Sequence, residues 1–354
     1  MTSMLAVALA NLGSVNAETG AVAPVSARPS LQSTLAAHSV LLGIARAGKR
    51  LVAVGERGII VLSDDSGRSW TQASVPVSVT LTAVDFPTPE KGWAVGHSGV
   101  ILRSVDGGEH WTKQLDGVRL AKLALTDAQA NVHAHAARRT RDDLRAATEL
   151  VEDGPDKPFF FVRFDDARHG TAGGADGIVF RTTDAGVTWS PRMSRINNPS
   201  RRHLYGIARQ NKIVYLVGEQ GYLARSVDGG ENFERLRSPY RGTYFAVAAP
   251  SGDALIIAGL RGHAYSSRDR GRSFRPIIAS SALSFSGSDT LADGTVILTD
   301  DVGTLFRWRP GRDGMSPVLP LTTALPPLTG VAQAPDRVFV TTGLGGANRL
   351  DQSD

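Results

Sequence analysis

Cysteine is absent from all 354 residues, which excludes a disulfide framework and any thiolate metal site. Aromatic residues make up only 6%, while glycine reaches 38 residues. That balance belongs to turn-rich chains built of short elements. Beyond the N-terminus no stretch approaches the ~20 apolar residues of a membrane span, so no transmembrane span is expected. There is no lysine-rich tract, no basic tail and no recognition motif, so nucleic acid is not an expected partner. A net charge of +5 remains, carried almost entirely by arginine. The planar guanidinium suits bidentate contact with carboxylate or phosphate, which points to an anionic partner.

The first residues, MTSMLAVALANLGSVNAETG, hold an apolar run from Met4 to Leu12 and small residues at Val15-Asn16-Ala17 before Glu18. Residues 1–17 read as the remnant of a secretory signal whose basic start is missing. The expectation is a periplasmic or otherwise exported protein, with 18–354 as its folded part.

One octet recurs. SDDSGRSW (63–70), SVDGGEHW (104–111), TTDAGVTW (182–189), SVDGGENF (226–233) and SRDRGRSF (267–274) share Ser/Thr-x-Asp-x-Gly-x-x-Trp/Phe. Their aspartates, Asp65, Asp106, Asp184, Asp228 and Asp269, are 41, 78, 44 and 41 residues apart. A period in the low forties made of short strands matches a propeller blade of four antiparallel strands. In the second repeat, TLTAVDF (80–86), GWAVG (92–96), VILRS (100–104) and WTKQL (111–115) read as the four strands. A glycine pair such as Gly96/Gly99 or Gly218/Gly221 brackets each turn between the second and third strands, where a tight hairpin demands positive φ. Two worn repeats, VILTDDVGTLFRW (296–308) and RVFVTTGLGGANRL (337–350), extend the period to the end. The fold class is therefore all-β, a seven-bladed β-propeller.

The seventh repeat runs out of chain before a fourth strand, and an open edge invites aggregation. Residues 23–34 are expected to close the ring as the outer strand of the last blade. The long 78-residue step holds an alanine-rich, proline-free insertion over about 118–158, read as helical, with Thr126 or Asp127 capping its start and Gly154 ending it.

Five aspartates on five blades cannot converge on one substrate, so the octet reads as a structural device. Its residues are Ser63, Asp65, Gly67 and Trp70; Ser104, Asp106, Gly108 and Trp111; Thr182, Asp184, Gly186 and Trp189; Ser226, Asp228, Gly230 and Phe233; Ser267, Asp269, Gly271 and Phe274. The aspartate accepts backbone N–H groups across the turn, and the aromatic residue packs between sheets.

These octets resemble Asp-boxes, or BNR repeats, of sialidases and sortilin-type receptors. The fuller patterns AVGHSGVILRSVDGGEHW (94–111) and LVGEQGYLARSVDGGENF (216–233) are similar to the photosystem II assembly/stability-factor family of propellers, over nearly the whole chain outside the insertion. The insertion and VEDGPDKPF (151–159) resemble the non-photosynthetic bacterial branch. That resemblance implies a non-catalytic accessory or assembly factor for a membrane complex of the envelope, an RND-type exporter in particular. It is fold-level analogy.

Two other readings stay open. A sialidase-like glycan hydrolase would need three arginines, a tyrosine with a glutamate partner and an acid aspartate, and no spacing fixes such a set. A lectin-like glycan binder would need no catalytic group. His97, His203 and His263 fall in separate repeats, so neither metal nor cofactor is expected.

In a propeller, turns between strands two and three share a face with the connections between blades. That face should present Arg57, His97, Arg195, Arg201, Arg202, Glu219, Tyr240, Arg241 and Arg261 as a docking surface for an envelope membrane protein or acidic protein segment. A monomer is expected.

Overall fold

Seven antiparallel sheets stand around a central channel. The computed structural model describes residues 23–134, 138–278, 283–318 and 325–350. The signal remnant expected over 1–17 lies outside the described residues. The inner strands are Leu41–Ala47, Leu81–Asp85, Phe159–Phe164, Leu204–Gln210, Tyr244–Ala248, Phe285–Thr290 and Leu328–Gln333. Each packs against the next, and the seventh packs against the first. At that closure Thr329 Oγ1 donates to the Leu41 carbonyl at 2.8 Å. Thr82 Oγ1 does the same to Phe159 between blades 2 and 3, at 2.6 Å.

The second strands of blades 2, 5, 6 and 7 are unbroken buried runs, GWAVG and LIIAG for example, because neighbouring blades cover both of their faces. The core therefore lies in the gaps between sheets. Trp93, Phe159, Phe180, Phe285, Phe306 and Trp308 are fully buried there.

The glycine pairs split in role. The second glycine is left-handed as expected, for example Gly99 (φ 60) and Gly221 (φ 69). The first is extended, and the reason for glycine there is space. A Cβ on Gly96 would stand 2.1 Å from the Thr80 carbonyl oxygen, and one on Gly218 the same distance from that of His203. The residue between them is also left-handed: Arg57 (φ 53), Ser98, Asp176, Gln220 and Arg261 (φ 57).

The octets form one repeated hydrogen-bonded knot. In blade 4 the Ser226 hydroxyl donates to Asp228 Oδ1 (2.6 Å) and accepts from Gly230 N–H (2.8 Å). Asp228 also accepts the N–H groups of Glu231 and Asn232, each at 3.0 Å. Ser63/Asp65, Ser104/Asp106, Thr182/Asp184 and Ser267/Asp269 repeat the hydroxyl–carboxylate bond at 2.7–2.8 Å. Trp111, Trp189 and Phe233 are buried, while Trp70 and Phe274 are half-buried at the sheet rims.

All five octet carboxylates sit below the usual range. At Asp269 burial pushes upward, and the Ser273 hydroxyl and amide with the Ser267 hydroxyl outweigh it, holding the group at about 2. A folded-state pKa below the unfolded value stabilises the fold above about pH 4 and loses that contribution as pH falls through the folded value. Two channel aspartates, buried Asp85 and half-buried Asp289, act in the opposite sense, since desolvation holds them above the usual range. The readout is therefore a difference: melting scans of Asp269→Asn should run below wild type at neutral pH and converge on it as pH falls from about 4 through about 2.

Two expectations about connections are corrected. The last sheet keeps three strands among the described residues. The segment expected to close it runs along blade 1 instead. Ser30 N–H donates to the Val75 carbonyl (3.0 Å), Ser33 N–H to the Gln72 side chain (2.8 Å), and Ser78 N–H to the Val25 carbonyl (2.8 Å). The outer strand of blade 1 is only Thr71–Gln72, which leaves backbone groups beyond it for this segment to satisfy. Only Ala36–His38 reaches the last blade, where Gly346 lies against the Ala37 carbonyl.

The insertion forms two helices, α1 (Gly117–Ala134) and α2 (Arg138–Glu152). The cap is Asp116, whose carboxylate accepts Arg119 N–H at 3.2 Å. Asp127 and Thr126, expected to cap the start, lie inside α1, because the outer strand of blade 2 passes directly into the helix. Leu120, Ala124, Ala128, Ala147 and Leu150 bury against blades 2 and 3.

Candidate functional site

The loop face is where the turns after the second strands meet the connections between blades. Arg57 and His97 are exposed on the turns of blades 1 and 2, and Arg57 approaches only its neighbour Glu56, at 3.9 Å. Arg201 and Arg202 lie on the connection from blade 3 to blade 4. Arg201 pairs with Glu149 of α2 at 2.9 Å, and Arg202 donates to Gln220 at 3.3 Å. Arg241 lies on the next connection, its Cα close against the Gly221 turn. Arg261 follows on the turn of blade 5, whose N–H donates to Ser284 Oγ at 3.3 Å. Arg201, Arg202, Arg241 and Arg261 thus form an arc over blades 3 to 5. Among the described residues no carboxylate pairs with Arg241 or Arg261.

Two of the nine expected face residues do something else. Arg195 sits on the outer wall. Its guanidinium donates to Asn232 in the blade 4 octet (3.3 Å), and its carbonyl accepts Phe233 N–H (2.9 Å). After the outer strands of blades 1 and 3 the chain first runs beside the next blade's octet hairpin, as Ser74 does on Glu109 (3.0 Å), before it climbs to the loop face. Glu219 is on the face, but its carboxylate accepts His203 N–H at 3.0 Å, as Glu56 accepts Val40 N–H at 3.2 Å. Both glutamates anchor a connection and are not free to meet a ligand.

Tyr240 belongs to an aromatic stack that composition did not suggest. Its ring lies 4.1 Å from that of His263, and Tyr265 is parallel to His263 within 3°. A second aromatic group lines the channel mouth: Phe160, Tyr205 and Phe245, with centroid separations of 5.1 and 5.0 Å. The signal for it was present. Leu42, Thr82, Phe160, Tyr205, Phe245, Ser286 and Thr329 are the second residues of the seven inner strands, each at a register shift that turns it into the channel. Leu42, Thr82, Phe160, Tyr205 and Phe245 stand 23 or 24 residues before the octet aspartate of their own repeat, so aligning the repeats on their octets places this position to within one residue.

The channel measures about 560 Å³ and carries Arg46, Asp85, Arg163, Asp289 and Tyr205. Asp85 accepts Phe164 N–H at 2.6 Å and faces Arg163 at 3.4 Å. A larger cleft of about 720 Å³ lies under the helical hairpin and contains no tyrosine. Neither concavity brings a tyrosine, a glutamate and three arginines together. Tyr222 and Tyr244 are buried and held well above the ordinary phenol value by desolvation, Tyr244 at about 12. Among the described residues no group of three metal-ligating side chains converges, and no helix is long and apolar enough to cross a membrane.

Seven sheets closed into a ring, five of them carrying the hydrogen-bonded octet, define a class: an Asp-box propeller. The family model described as Photosynthesis system II assembly factor YCF48 matches residues 41–131 and 147–319, and the chain belongs to that family. The Photosystem II assembly lipoprotein Ycf48 of Synechococcus sp. (strain CC9902) is 24% identical over 153 residues, covering 42% of this chain and 46% of that one. The chain thus spans about half the length of this curated relative. Among solved structures, YCF48 bound to D1 peptide superposes with TM-score 0.63 at 13% identity, over 91% of this chain and 96% of that one. YCF48 from Cyanidioschyzon merolae gives 0.65 at 14% identity, over 90% and 97%. At this identity the superpositions speak for the fold alone.

Proposed function

We propose that the protein is a non-catalytic, exported assembly factor that docks an acidic segment of a membrane protein on its arginine-bearing loop face. The observation that carries this reading is the arc from Arg201 to Arg261, with Arg241 and Arg261 unpaired by any described carboxylate, beside the aromatic mouth formed by Phe160, Tyr205 and Phe245. Guanidinium forks supply bidentate bonds to carboxylates, and the rings offer apolar contact for the intervening residues. A family relative solved with a peptide bound and another described as a lipoprotein support the same direction. An RND-type exporter is the complex implied by the family resemblance.

The test is capture of the tagged protein with its partners from gently solubilised envelopes, read by mass spectrometry. Specific recovery of a membrane complex is expected, and an exporter of the RND type among its subunits would support the finer reading. A preparation that recovers no membrane protein overturns the proposal. A lectin-like second reading rests on the Tyr240–His263 stack, and a glycan array tests it.

A further inference from the structure

The cleft under the helical hairpin has the opposite electrostatic character to the loop arc. Its floor is apolar: Ala124, Ala128, Ala147 and Leu150 from the helices, Ile178 and Ile196 from blade 3 and the connection after it. Its walls carry six carboxylates, Asp127, Asp142, Asp143, Glu149, Asp153 and Asp176, against three cations, Arg145, Lys157 and Arg201. Those cations are engaged. Arg145 and Arg201 both meet Glu149, at 3.0 and 2.9 Å. Lys157 meets Asp153 at 3.0 Å and Asp176 at 3.7 Å.

The walls include Asp127 from the middle of α1 and Asp142 from the first turns of α2. Asp127 is half-buried and accepts the Asn131 amide at 2.9 Å. Burial holds its carboxyl above the usual range, so a cation brought beside it would gain from a poorly solvated charge. Arg192 and Arg195 attract this carboxylate without outweighing its burial, and their own contacts go to Glu231 at 3.7 Å and to Asn232. This acidity is local, since the chain as a whole carries +5. Asp142, Arg145 and Ala146 fall within 132–146, the stretch between the two matched parts of the family model.

We infer that the cleft is a second binding site, for an extended basic peptide segment whose lysine or arginine stem lies on the alanine-lined floor and whose cationic head meets Asp127 and Asp142. The volume lies within the usual range for a ligand-sized pocket, and a long aliphatic stem with a terminal charge matches a floor and wall of this composition. The site shares only Arg201 with the loop arc, and its ligand has the opposite charge.

Fluorescence anisotropy on the full chain tests it, with a dye-labelled Ala-Lys-Leu-Lys-Ala peptide and its glutamate counterpart as probes. The lysine peptide should bind, and the glutamate peptide should not compete with it. Asp127→Asn/Asp142→Asn should weaken binding at least tenfold, and so should Ala146→Trp, which fills the cleft from its rim. Melting by circular dichroism reports whether each variant folds, and the isosteric double variant carries the test if Ala146→Trp does not. Arg241→Ala/Arg261→Ala should leave this binding unchanged, which separates failure here from failure of the loop face. No binding of the lysine peptide, or binding indifferent to both cleft variants, overturns the inference. Spermidine binding as tightly as the peptide would make the site one for a free polyamine and overturn the assignment to a peptide.

Discussion

Changing Arg201, Arg202, Arg241 and Arg261 together to alanine is expected to abolish partner capture while leaving the melting temperature nearly unchanged. Each guanidinium that meets a carboxylate contributes a charge-assisted hydrogen bond worth about 1.5–3 kcal/mol. Losing even two of these corresponds to roughly a hundredfold or more in affinity. Stability should hardly respond. Arg241 and Arg261 make no described ion pair, Arg202 donates to the neutral Gln220, and the Arg201–Glu149 pair is half-exposed. Exposed pairs of that kind contribute about 0–1 kcal/mol. Capture by the envelope pull-down and melting by circular dichroism are the paired readouts. Capture that survives the four substitutions would move the docking surface away from this face.

Trp93→Ala should cost about 3–5 kcal/mol of stability, measured by urea unfolding, far more than any of the loop-face arginine substitutions. Trp93 is fully buried and stacks on Phe164 of the next blade, with ring centroids 3.6 Å apart and planes within 11°. Its indole N–H donates to Gln114 Oε1 at 3.0 Å, and the Gln114 amide donates onward to the Ala185 carbonyl at 3.0 Å. One substitution therefore opens a cavity in the seam between blades 2 and 3 and loosens the side chain that ties blade 2 to the octet of blade 3. The hairpin helices pack into the same cluster. Trp70→Ala, at a half-buried rim, should cost less. Equal losses at the two sites would mean that the seam holds no special share of the stability.

The period of the five octets, extended by two worn repeats, determined the all-β class, seven blades and the faces on which turns fall. Hydrogen bonding across each octet is local, so residues within eight positions of one another suffice to form it, as the Ser226–Asp228–Gly230 knot illustrates. The helical nature of the insertion was equally legible, because alanine-rich, proline-free sequence favours helix over strand on backbone grounds.

What the sequence could not supply was anything decided between blades. Residues 23–34 were free in sequence terms to cap the last blade, yet the unsatisfied backbone groups beyond Gln72 draw them to the first. Arg195 looked like its loop-face neighbours until the chain's path along the blade 4 octet fixed it to Asn232. Glu219 looked like a free acid until its carboxylate closed on His203 N–H. The aromatic mouth occupies one position of the period, but the acidic cleft gathers residues from the helical hairpin, blade 3 and the connection after it, and no spacing along the chain encodes their proximity. Local chemistry built each blade. The closing of the ring decided which side chains met a partner and which were left to face one from outside.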